Sequence, residues 1–85
     1  MRHARSDYER FQDPAGLIPY DEPVFLIRAQ DVVSGDALRA WADLNDAAGG
    51  DPESSRLSRE HAARMDAWPK KKLADVPRPV PDPAG

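Results

Sequence analysis

The sequence predicts a small α+β protein, a βαα protomer with one main strand and two helices, its strand paired across a homo-oligomer interface. Three observations predict it. Residues 24–30 alternate apolar side chains onto both faces, the pattern of a strand covered on two sides. Two later stretches repeat apolar residues at helical spacing, each with its own start and stop signals. The chain has 85 residues and no cysteine, so its core is small and lacks disulfides or thiolate zinc sites. Oligomerisation is the reinforcement left to such a core.

In the strand, Val24, Leu26 and Arg28 point one way and Phe25, Ile27 and Ala29 the other. Pro19 and Pro23 precede it, and each pushes the residue before it toward extended geometry. No second strand is evident, which is why a partner copy is expected to supply one. Before the strand, residues 1–16 read as a flexible N-terminal arm ending in the turn cluster Asp13-Pro14-Ala15-Gly16.

Ser34 reads as the N-cap of a first helix over residues 35–48, with Asp36 in the first turn. Ala37, Leu38, Trp41, Leu44 and Ala48 fall on one face, the expected core side. Gly49-Gly50 ends the helix. Asp51-Pro52-Glu53 opens a second: Asp as N-cap, Pro at the first helical position, Glu in the first turn. Its apolar face reads Leu57, His61, Met65 and Trp68, with Ala62 beside it. Pro69 stops it. The single domain is thus expected over residues 17–73. Residues 74–85, with proline at 77, 79, 81 and 83, read as a disordered, polyproline-like tail.

The formal net charge is −3 with both signs interspersed, which argues against general nucleic-acid binding. The basic start lacks a following apolar run, so no secretory signal is expected, and no run approaches a membrane span. A cytoplasmic location is expected. The two histidines, His3 and His61, make neither a His-x-x-x-His nor a His-Glu-x-x-His pair, so no metal or other cofactor is expected. No nucleophile–base pair can be assembled, and an enzyme is not expected. His61 reads as a partly buried, inert side chain.

The candidate ligand-binding residues are Arg28, Gln30 and Asp31, then Trp41 and Trp68, then Lys70, Lys71 and Lys72. Arg28 can fork onto a phosphate or carboxylate, and the nearby helix start offers backbone N–H groups to an anion. The competing reading pairs Arg28 with Asp31, or with Glu22 of a neighbouring copy. The tryptophans serve as core filling or as a stacking platform. The lysines serve as a helix C-terminal cap or as a basic patch.

The block Ile18-Pro-Tyr-Asp-Glu-Pro-Val-Phe-Leu-Ile-Arg-Ala-Gln-Asp31 is followed by Leu38-Arg-Ala-Trp-Ala42 and Ala62-Ala-Arg-Met-Asp-Ala-Trp68. Together they resemble a family of short uncharacterised reading frames of bacteriophages and prophages of high-GC bacteria. The likeness spans about residues 18–77 and carries no catalytic residues over. It implies a small phage accessory protein that acts by binding. The ligand would be a small anionic or nucleotide-derived immune signal, held at an oligomer interface. The alternative is a structural or host-protein-interaction module with no small-molecule ligand.

Overall fold

A computed structural model describes residues 2–3, 13 and 15–75. It is a small mixed α/β structure with the element order β1 (Arg2–His3), β2 (Pro23–Val24), α1 (Ser34–Ala47) and α2 (Pro52–Asp66). The chain divides into two units, Met1–Leu26 with Asp75–Gly85, and Ile27–Ala74. Most of the expected arm and nearly all of the proline tail lie outside the described residues.

In the first unit, β1 and β2 pair in parallel, with Arg2 opposite Pro23 and His3 opposite Val24. The partner strand therefore comes from the chain's own beginning, which corrects the expectation that none exists there. Proline at the first position of β2 is tolerated because it removes only one ladder donor. The strand is also far shorter than expected. After Val24 the ladder stops, and residues 25–28 have no strand pairing. Phe25 is 70% exposed, so the run is not covered on both sides. Strand propensity expresses itself only where neighbouring strands provide a surface, and two residues of ladder provide little. The turn cluster forms as expected. Asp13 accepts from Gly16 N through its carbonyl at 3.0 Å, and from Ile18 N through its carboxylate at 3.0 Å.

The second unit is a helical hairpin closed at its open end by a short return segment. A turn leads in, with Asp31 N donating to Arg28 O at 3.0 Å. The Asp31 carboxylate then accepts from Val33 N at 3.0 Å, and its carbonyl accepts from Ser34 N at 2.9 Å. The N-cap position is therefore Val33, which makes no side-chain cap hydrogen bond, and the cap expected at Ser34 does not form. Ser34 is itself the first helical residue, fully buried, its hydroxyl directed at Ala29 O. Gly49 closes α1 with φ +77°, a conformation glycine adopts without the Cβ penalty. The second cap is as the sequence predicts: Asp51 accepts from Glu53 N at 2.9 Å, with Pro52 at the first helical position.

The two helices meet through small residues. Ala42, Ala62 and Ser55 are fully buried, and Met65 nearly so. Ser55 Oγ donates to Ala42 O at 3.3 Å, and Ser58 Oγ donates to Leu38 O at 2.8 Å. Asn45 Nδ2 ties the loop end together through Ser55 Oγ at 2.9 Å and Asp51 O at 3.2 Å. Serine hydroxyls reach the opposite backbone only when the helices lie close, which alanine allows. At the other end Gly35 has the same role: a Cβ there would stand 2.0 Å from Asp66 Oδ1.

This contact is rotated from the predicted one. Ala62 and Met65 are buried as expected and Leu38 is half-buried, but Trp41 at 50%, Leu44 at 69%, Leu57 at 53% and Trp68 at 51% stay half-exposed or more. His61 is exposed as well. The reason lies in the charges. At 100° per residue, Asp36, Arg39, Asp43 and Asp46 occupy an arc of about 80° on α1, beside the buried seam. Arg59 of α2 bridges Asp43 and Asp46 at 2.8 and 2.7 Å, and Arg39 reaches Asp66 at 2.8 Å. Packing the small-residue seam brings these ions together along one edge and turns the tryptophans away from the seam.

The close seam predicts that Ala62→Leu overpacks the hairpin and destabilises it by about 1–3 kcal/mol. Ala63→Leu, one position away and exposed, changes stability by no more than about 0.5 kcal/mol. Urea unfolding of the two variants checks this, and equal midpoints contradict the seam.

Candidate interaction surface

The hairpin has two unlike flanks. One is the ionic edge just described. There Arg39 holds the Asp66 carboxyl below the usual carboxylate range. The Ser55 hydroxyl and then Arg59 do the same for Asp46. Arg56, which joins Glu53 and Glu60 along α2, lowers Glu53. All of these groups are substantially exposed, so each pair contributes little alone and salt screens it. Arg39 and Arg59 with their carboxylates line one edge between the helices, while the Arg56 network runs along the outer side of α2.

The other flank is apolar. On α1, Ala37, Ala40, Trp41, Leu44 and Ala47, with the cap residue Ala48, span an arc of about 120° at helical spacing, without a charge. Together with the buried seam, which adds Ser34 and Asn45 but no charge, this leaves well over half of the α1 circumference uncharged. Packing against α2 covers only part of it. On α2 the same flank carries Leu57 and His61, continued past the helix end by Trp68. Exposed tryptophan and leucine on neighbouring turns resemble the cluster of anchors found at protein interfaces.

The predicted ligand residues separate into two groups. Asp31 and Lys72 form a parallel bridge, with Val32 N donating to Lys72 O at 3.0 Å and Lys72 N to Gln30 O at 2.8 Å. The turn that carries Arg28, Gln30 and Asp31 is therefore tied to the lysine run. Trp41 and Trp68 belong to the apolar flank instead. Lys71 is used structurally: its Nζ donates to Ala29 O at 2.7 Å and to Met65 O. It thus neutralises the C-terminal end of α2 and staples the incoming turn to it. Lys70 and Lys72 are exposed, as is Arg28, which is engaged within the structure.

The start of α1 does not offer the open anion site expected of a helix N-terminus. Asp66 Oδ1 stands against Gly35, and Asp36 joins Arg39 beside it. The protein's own carboxylates therefore occupy the positive end of the dipole. Asp66, Arg39 and Arg59 escaped the sequence reading because their partners lie far apart in the chain. The spacing of Asp43 and Asp46 on one helical edge was the available signal. Among the described residues no group of three or more His, Cys, Asp or Glu side chains could hold a metal ion. No helix among them is long and apolar enough to cross a membrane.

Fold and surface together define a small mixed α/β protein built on a helical hairpin, ionic on one edge and apolar on the other. No protein family, curated protein or solved structure matches the chain.

The lowered carboxylates set the acid response of the hairpin. A group whose pKa is lower folded than unfolded stabilises the fold above the unfolded value, and that contribution is lost as pH falls through the folded value. The thermal midpoint is therefore level from about pH 7 to 5 and drops below about pH 4, where Asp46, Glu53 and Asp66 protonate. The double variant Asp46→Asn/Asp66→Asn has a lower midpoint at neutral pH and a shallower fall. A variant profile parallel to that of wild type counts against the ionic edge.

Proposed function

We propose that this chain is a non-enzymatic protein-interaction module that docks through the apolar flank of its helical hairpin. The observation that carries the reading is the charge-free arc of α1, which keeps Trp41 and Leu44 at least half exposed although α2 is packed beside it. Burying two such side chains contributes on the order of 3–6 kcal/mol toward the cost of association. The likeness to short phage and prophage reading frames fits a protein that acts by binding another protein. In this reading self-association runs through the helices, since Pro23–Val24 is already paired within the chain.

A second reading rests on a different observation. The bridge between Asp31 and Lys72 gathers Arg28, Gln30, Asp31 and the lysines into one neighbourhood, polar enough to hold a small anionic or nucleotide-derived ligand. Calorimetry with cyclic dinucleotides and ADP-ribose derivatives tests it. Binding that Arg28→Ala and Lys72→Ala weaken supports it, and absence of heat across the panel removes it.

The docking reading is tested by photo-crosslinking of the full chain in its host cell, with the reactive side chain at position 44 or position 43. Position 44 lies on the apolar arc and position 43 on the ionic edge. Adducts to protein are expected at 44 and not at 43. Equal yields at the two positions would sink the reading.

A further inference from the structure

Resting on the docking reading, we infer that the occupant of the apolar flank is a second copy of this chain, the two hairpins forming a two-fold symmetric four-helix bundle. Area is the first argument. A dimer of standard size buries about 800 Å² on each partner, about 60–65% of it apolar in homodimers. Trp41, Leu44, Leu57 and Trp68, at their observed exposures, offer on the order of 450 Å² of apolar surface on one hairpin. That matches the apolar share of such an interface without any further rearrangement.

The shape of the flank gives the second argument. Ala37, Ala40 and Ala47 keep much of the α1 arc low, with Trp41 and Leu44 rising from it. An isologous contact pairs the same patch with itself, so protruding side chains must find small ones opposite. A flank with both kinds provides this. Close helix–helix approach across alanine is also what the hairpin already uses in its own seam, at Ala42 and Ala62.

The third argument is charge. The α1 part of the flank is free of charged residues over its whole arc, so a second copy can cover it without burying an ion from that helix.

Light scattering and tryptophan emission of the purified full chain over a concentration series test the dimer, together with Leu44→Glu and Leu57→Glu. Both leucines are exposed, and circular dichroism verifies that each variant keeps its helices. The wild type is expected at twice the chain mass at micromolar concentration, with emission shifting to the blue as it associates. Either variant should raise the dissociation constant by about tenfold or more. A wild-type monomer overturns the inference, as does a dimer that neither variant weakens. A monomer whose tryptophans are already shielded overturns it too, assigning the cover to the chain's own remaining residues. Crosslinking at position 44 separates the two levels. A monomer that gives adducts to a different protein keeps the docking reading and removes the second copy. A monomer that gives no adducts removes both.

Discussion

The close approach of α1 and α2 along Ala42, Ala62 and Ser55 is the constraint on which the hairpin depends. Two helices joined by a short loop can bury only a narrow stripe of each other. Here that stripe consists of side chains with almost no length. The backbones come near enough for Ser55 and Ser58 to donate to carbonyls of the opposite helix. Those hydrogen bonds, formed out of water, are worth more than their exposed counterparts and leave few polar atoms unsatisfied. A larger residue anywhere on the seam would force the helices apart and break both.

Once the seam is set, the other features of the second unit follow. Arg59 and Arg39 find their carboxylates because the seam brings one edge of each helix together. Lys71 finds the carbonyls of Met65 and Ala29 because the chain turns back at Pro69 toward the end of α2. The bridge between Asp31 and Lys72 then closes the open end. The apolar flank is the remainder, the part of α1 that a single neighbour cannot cover. Its exposure is a geometric consequence of having one α-helical partner for an apolar arc wide enough for two.

That remainder shapes the functional reading. Among the described residues, small side chains go to the interior and both tryptophans stay half-exposed, which is the basis of the proposed docking reading. The polar turn at residues 28–31, tied to the lysine run, is a separate feature with separate chemistry. Its backbone is committed to the turn and the bridge, and its Asp31 carboxylate accepts from Val33 N.

Much of the local structure was legible in the sequence. Asp51-Pro52-Glu53 announces a helix start and forms one. Gly49-Gly50 ends α1 where expected, while α2 stops at Asp66, short of Pro69. Asp13 to Gly16 makes the turn its composition implies. These signals act within a few residues, where backbone sterics and capping hydrogen bonds decide the outcome. Residues 24–30 look like a strand on the same terms but pair only at Val24. A strand needs a neighbour, and the chain supplies two residues of one. The helical faces likewise depend on what lies opposite. Apolar periodicity marked Trp41, Leu44, Leu57 and Trp68 as inward, but periodicity alone cannot rank a leucine stripe against an alanine stripe beside it. The sequence by itself determined where the helices begin and end. Only the tertiary structure decided which face they share, because close packing and ion pairing between residues distant in the chain favour the small seam over the large one.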